Sequence, residues 1–370
     1  MAKRKKTFSL ALTVLLCVVT LVVGCAAGYA GYALLYDASH YHSDEAPHTL
    51  VEGELQIHFL ELGNKYTGDC TYIKAGDADI LIDAGSRSSS VSTISEYINQ
   101  YVTDGKLEYV IVTHAHQDHY AGFAVSDGSI FDLYEVGTII DFALTNQTAN
   151  GTSNMYGRYL AERDAEVEAG AVHYTAAEFI TSFDEGKVEV GGGVTMTVLD
   201  SYYYYNAADT ENDYSVCTLF TYGDYNYLFT GDLEAEGEER LVAMNTLPEV
   251  TLYKAGHHGS KTSSSAALLE VIKPQYVCVC CCAGSPEYTK ANENQFPTQQ
   301  FVDRIAVYTD KVYVTTLCED YDKGTFTSMN GNITVVTDST GVNVVCSNDD
   351  RKLKDWEWFK TNRTCPDNWK

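Results

Sequence analysis

Thr113-His114-Ala115-His116-Gln117-Asp118-His119 sets three imidazoles and a carboxylate within six positions, directly after an apolar, strand-like run over 107–112. Histidine is scarce elsewhere, with ten in 370 residues, so this density reads as a metal site rather than a polar surface turn. Alternation predicts that His114 and His116 point the same way and share one metal, while Asp118 and His119 turn toward a second. Imidazole and carboxylate are ligand types that suit zinc, manganese or iron.

Working outward, three further apolar runs end in chemistry-bearing residues. Asp79-Ile80-Leu81-Ile82-Asp83-Ala84-Gly85 reads as a buried strand closing in a tight turn that needs its glycine. Tyr225-Asn226-Tyr227-Leu228-Phe229-Thr230-Gly231-Asp232 is a strand with an aspartate at its tip, and Leu252-Tyr253-Lys254-Ala255-Gly256-His257-His258-Gly259-Ser260 repeats the pattern with a histidine pair. Strand tips are rigid supports for ligand-bearing loops, so these segments are expected to converge.

This ordered series resembles the metallo-β-lactamase superfamily. More narrowly, it is similar to the C-terminal metallohydrolase domain of the competence (DNA-uptake) protein ComEC and its stand-alone relatives. The resemblance rests on Ile57-His58-Phe59-Leu60-Glu61-Leu62-Gly63, Gly68-Asp69, the Asp83-Ala84-Gly85 turn and the histidine loop. It continues through Asn212-Asp213-Tyr214-Ser215, the Asp232 tip, the run Gly256 to Ser265 and Gly331-Asn332-Ile333-Thr334-Val335. The implied fold is an α/β, αββα sandwich. The implied cofactors are two divalent ions, zinc or alternatively manganese. His114 and His116 would hold the first, Asp118 and His119 the second, and Asp232 both. His258 would complete the second site, leaving His257 to face substrate. Asp118 and His257 are the implied catalytic residues, Asp83 supports the histidine loop through hydrogen bonds, and Ser260 with Lys261 holds an anionic group or forms a solvated loop.

Two departures stand out. Where the wider superfamily offers a further histidine to the first metal, this chain has Asn212 or Asp213. Where ComEC-like chains carry Asn-X-Tyr-Gly-His-Pro, it reads Asn292-Glu293-Asn294-Gln295-Phe296-Pro297, with Phe296 replacing a histidine that would contact substrate.

The expected chemistry is hydrolysis by metal-activated water, and two neighbouring ions suit displacement at a phosphodiester. Preference for phosphorus over a carbonyl carbon rests on the resemblance. Alternatives are a ComEC-like surface nuclease acting on DNA, a lactone or amide hydrolase, and a non-catalytic envelope binding module.

Composition bounds the setting. Lys3-Arg4-Lys5-Lys6 precedes an uncharged, mostly apolar run over 8–36, long enough to span a bilayer. Residues 1–36 are expected to be a single-pass anchor that leaves the catalytic domain outside the cytoplasm; a lipoprotein on Cys25 or a cleaved signal peptide are the other readings. Residues 37–54 form a linker, 55–346 the hydrolase domain, and 347–370 an aromatic tail packed on it. Net charge is −26, and the four leader cations make the remainder more acidic still. Such a surface disfavours DNA and favours a small phosphodiester or an envelope headgroup, a substrate class known among stand-alone relatives with phosphorylcholine-esterase activity. Lys261, with Lys254 behind it, is the basic element near the site motifs. The tyrosines 202–205 read as a Tyr-rich packed segment or as a stacking wall for a substrate. Cys278, Cys280, Cys281 and Cys282 lack metal-cluster spacing and read as small hydrophobes in a buried strand.

Overall fold

Apolar runs bounded by glycine and polar residues become sixteen strands in the computed structural model, which describes residues 54–370. The expected membrane segment and linker therefore lie outside the described residues. In chain order the strands are β1 (Leu55–Phe59), β2 (Thr71–Ala75), β3 (Ala78–Ile82), β4 (Lys106–Val112), β5 (Glu135–Asp141) and β6 (Val172–Thr175). Next come β7 (Lys187–Gly191), β8 (Val194–Val198), β9 (Thr218–Tyr222), β10 (Tyr225–Phe229) and β11 (Leu252–Lys254). The last five are β12 (Tyr276–Ala283), β13 (Val312–Asp320), β14 (Thr325–Ser328), β15 (Ile333–Asp338) and β16 (Gly341–Cys346).

They form two eight-stranded sheets, ordered 16-15-1-2-3-4-5-6 and 14-13-12-11-10-9-8-7. In the first, β3 to β6 run parallel; in the second, β10 to β13 do. Among the parallel strands, β3, β11 and β12 are covered on both faces, which is why their sequences are mostly apolar runs rather than alternating ones. In β12 successive side chains divide between two cores: Cys278 and Cys280 face the layer shared by both sheets, while Val277, Val279 and Cys281 join the outer cluster. The cysteines thus act as small apolar residues, and none of the four is paired.

Between the sheets, the Phe59 ring lies 6.1 Å from Phe229, and the Tyr227 hydroxyl donates to Thr337 Oγ1 at 2.6 Å. Outside the second sheet, helices Ala266–Ile272 and Gln299–Ile305 bury Leu268, Leu269, Ile272, Phe301, Val302 and Ile305. The tail joins this layer through Leu353, Phe359 and Trp369, all buried. The result is the αββα sandwich. No described helix is long and apolar enough to cross a membrane.

Candidate metal centre

β4 ends at Val112, and the chain then makes one short helical turn, Gln117–Tyr120, that carries Asp118 and His119. Two neighbouring loops lock this turn by its backbone. Asp69 N donates to Asp118 O at 2.9 Å, and Ala84 N to His119 O at 2.7 Å. The approach explains the glycines: a Cβ on Gly85 would sit 1.6 Å from Asp118 O, and one on Gly68 2.8 Å from it. Any larger residue would displace the ligand-bearing backbone itself.

Asp83, at φ 59° just after β3, reaches across to β4. Its Oδ1 accepts from Thr113 N at 2.8 Å, and its Oδ2 accepts from Thr113 Oγ1 at 2.8 Å and from His119 Nδ1 at 2.7 Å. An imidazole that donates from Nδ1 presents its Nε2 lone pair elsewhere. In His119 the Nε2 side faces Asp232, with Nε2 3.2 Å from Asp232 Oδ2. His258 is arranged the same way: Nδ1 donates to Cys280 O at 2.9 Å, and Nε2 lies 3.3 Å from Asp232 Oδ2. His114 Nε2 and His257 Nε2 each lie 3.9 Å from the same oxygen, and His116 Nδ1 is 3.0 Å from His114 Nε2. Asp118 Oδ2 approaches His258 Nε2 at 3.4 Å. Of the other five residues expected to bind metal, His114, His119 and His258 thus face the buried Asp232 carboxylate, as does His257, while His116 and Asp118 join through His114 and His258.

The residues fit divalent cations. Asp232 Oδ1 is buried without a hydrogen-bond partner, and ring nitrogens of His114 and His116, and of His119 and His258, face one another at 3.0 and 3.3 Å. Electrostatics point the same way. Burial pulls His119 down, but Asp232, Asp83 and Asp69 outweigh it and raise the imidazole to about 10. Burial likewise opposes charge on His258, and Asp232 with Asp69 again prevails, lifting it well above the ordinary value. His114, dominated by burial and then by the charge of His119, is held well below. Clustered carboxylates here demand positive charge.

Asp69 and Lys254 escaped the sequence reading as members of this site. Asp69 shares a cluster with His119, Asp232 and His258 whose ligand-type atoms all lie within 4.8 Å of one another. It lies on the Nδ1 sides of both imidazoles, at 3.7 Å for His119 and 3.2 Å for His258, where it adds negative charge beside the N–H groups taken by Asp83 and Cys280 O. Lys254 is not behind Lys261 but buried against Asp69, with Nζ 3.8 Å from Asp232 Oδ1. Burial lowers its pKa, and Asp69 followed by Asp232 more than reverses this, so the ammonium is retained. A lysine closing the apolar β11 was the available signal.

The remaining expected residues lie around the rim. Asn212 donates to Glu234 Oε1 at 3.0 Å, and Asp213 Oδ1 accepts from Glu234 N at 3.1 Å, just ahead of helix Ala235–Met244. Glu234 also lies 3.6 Å from His257 Nδ1, and Thr262 Oγ1 is 3.1 Å from the same nitrogen. Ser260 Oγ bonds Thr262, and exposed Lys261 donates to Asn294 Oδ1 at 3.0 Å. Of the tyrosine run, Tyr203 and Tyr204 are buried, and the Arg240 guanidinium lies 4.0 Å from the Tyr202 ring centre. Phe296 packs 5.7 Å from both His257 and His258, ring centre to ring centre. One contact had no sequence signal at all: the Tyr288 hydroxyl donates to Asp118 Oδ2 at 2.5 Å. With 28 tyrosines in the chain, another in a polar loop says nothing by itself.

Comparison with known proteins agrees with this geometry. The chain is 37% identical to Competence protein ComA of Neisseria gonorrhoeae over 93 residues, which is 24% of this chain and 12% of that protein. It is 29% identical to Recombination protein 2 of Haemophilus influenzae over 120 residues, covering 32% and 14% respectively. These relatives are therefore matched over a small part of their length. Among solved structures, the metallo-beta-lactamase fold protein YhfI from Bacillus subtilis aligns at a TM-score of 0.41 and 12% identity, over 75% of this chain and all of that one. The description Metallo-beta-lactamase superfamily matches residues 63–283, which contain the histidine loop, the Asp232 tip and the histidine pair, and the chain belongs to that superfamily.

Proposed function

We propose that this chain is a metal-dependent phosphodiesterase working outside the cytoplasm. The observation that carries the reading is the convergence of His114, His119, His257 and His258 on Asp232, with His116 against His114 and Asp118 against His258. His114, His116 and Asp232 would hold one ion; Asp118, His119, His258 and Asp232 would hold the other. Bound there, two divalent ions supply a water nucleophile at neutral pH and charge stabilisation for the displaced oxygen.

The protein's own share is orientation. Asp83 and the Cys280 carbonyl fix the His119 and His258 rings from their Nδ1 sides, which holds the Nε2 sides toward Asp232 before any ligand arrives. His257, about one-fifth exposed, faces the open side and is the imidazole available to substrate. Asp118, whose Oδ2 faces His258 Nε2 at 3.4 Å, would take the proton from water as one of the residues holding the second ion.

Strong negative charge argues for a small phosphodiester or an envelope headgroup over a long polyanion. Similarity to a competence and a recombination protein favours DNA as the second reading. Purified residues 45–370, loaded with zinc or manganese, are expected to hydrolyse bis-4-nitrophenyl phosphate, and His116→Ala to lose at least 100-fold (about 3 kcal/mol of barrier). Equal rates in the two proteins would remove the site assignment. Metal bound without turnover would move weight to carbonyl substrates, then to a binding module.

A further inference from the structure

Residues 284–296 form a loop that rises beside the metal centre and is tied at its neck, where Gly284 N donates to Phe296 O at 2.9 Å. Two independent clamps hold it. Near its start, Glu287 accepts from Thr67 N at 3.0 Å and pairs with Arg87 at 2.8 Å. At its end, Arg363 of the C-terminal tail donates to Gln295 O at 2.6 Å and Pro297 O at 2.8 Å. The chain beyond Pro297 is fixed in turn to the histidine-pair turn, since Thr298 N donates to Gly259 O at 2.9 Å.

Between these clamps sits Tyr288. The residue is 55% exposed, yet its hydroxyl reaches the carboxylate of Asp118, itself buried. Its ring leans on Phe296, 5.7 Å away, and Phe296 leans on both histidines of the pair. The phenyl group of Phe296 offers no hydrogen bond toward the rings it covers. The phenol beside it does, from the solvent side of the cluster, at a position set by the clamps rather than by a ligand.

We propose that Tyr288 is a catalytic hydrogen-bond donor of this site, contacting the substrate phosphoryl group through the oxygen that leaves. The proposal rests on the phosphodiesterase reading and specifies its substrate contact. In the reaction, water forms the new P–O bond as the bond to the leaving oxygen breaks, and water supplies the proton that the released alcohol keeps. Tyr288 remains a phenol throughout: its hydrogen, which Asp118 Oδ2 accepts in the structure, turns to the departing oxygen as negative charge builds there. A donor fixed in advance at that point stabilises the transition state more than the ground state.

The test compares the full chain with Tyr288→Phe, which removes one oxygen from a half-exposed side chain. Metal content, calorimetric binding of inorganic phosphate to the metal-loaded protein, and turnover of two diesters are measured. The expected result is unchanged metal content, phosphate binding weakened about tenfold, and turnover lowered about tenfold on bis-4-nitrophenyl phosphate. On diphenyl phosphate, whose leaving group is poorer, the loss should be larger, about 100-fold. Unaltered phosphate binding and equal losses on both diesters would overturn the proposal. So would a fall in metal content that accounts for the lost activity, because Tyr288 would then act by holding Asp118. If the wild-type chain cleaves neither diester, the phosphodiesterase reading fails separately. Phosphate binding then decides for Tyr288: weaker binding in Tyr288→Phe keeps the anion contact, and unchanged binding removes it.

Discussion

Glu238 is a carboxylate buried in helix Ala235–Met244, where its two oxygens accept the backbone amides of Ser264 and Ser265 at 2.6 Å each. It pins the serine run that follows the histidine pair. Burial raises it to about 7, against the hydrogen bonds and Arg304, which pull the other way. Because the folded pKa lies above the unfolded one, the native state holds this proton more tightly. Stability from this group is complete below the ordinary glutamate value of about 4.3 and is lost as pH rises through about 7, on the order of 3 kcal/mol. Urea midpoints of the wild type should therefore fall from pH 5 to pH 8 more than those of Glu238→Gln. A parallel pH trend in both proteins would contradict this. At the same scale, the ligand types and their order were legible because His and Asp at strand tips have few other reasons to cluster. Asp69, Lys254 and Tyr288 were not, since one acid, one base and one phenol acquire meaning only when distant segments meet.

Elements divide in the same way. Buried parallel strands were readable as apolar runs, and β12 keeps Cys278, Cys280 and Cys281 as small hydrophobes on two opposite faces. Boundaries were less readable. The regular helix Ser90–Ile98 ends where tightened turns take over: Gln100 N bonds Tyr97 O at 3.2 Å and Tyr101 N bonds Ile98 O at 2.9 Å. Side-chain periodicity cannot register such a change, because the apolar face continues through Val102. The histidine-pair turn is a further case. His257 and His258 have φ of 47° and 55°, a left-handed conformation costing on the order of 1 kcal/mol per residue. The surrounding bonds, including Gly256 N to Tyr253 Oη at 3.0 Å, hold the turn in place. That strain delivers two consecutive imidazoles to the site from one strand end.

For the molecule as a whole, the order of the two sheets brings the ends of β3, β4, β10 and β11 together, and every expected metal ligand follows one of these strands. The αββα layering was implied by family resemblance, whereas the loop over 284–296 and its clamp from the tail emerge only in three dimensions. The proposed outside location rests on the basic start at 3–6 and the apolar run over 8–36. Reporter fusions after Gly53 should be active on the outer side of the membrane; activity confined to the cytoplasm would reverse the topology. The most direct test of the central claim is the metal retained per chain by wild type and Asp232→Asn after loading with zinc and exhaustive dialysis. The wild type should keep about one to two equivalents and the variant less than half as much. Equal retention, or none in either protein, would contradict a metal centre built around Asp232.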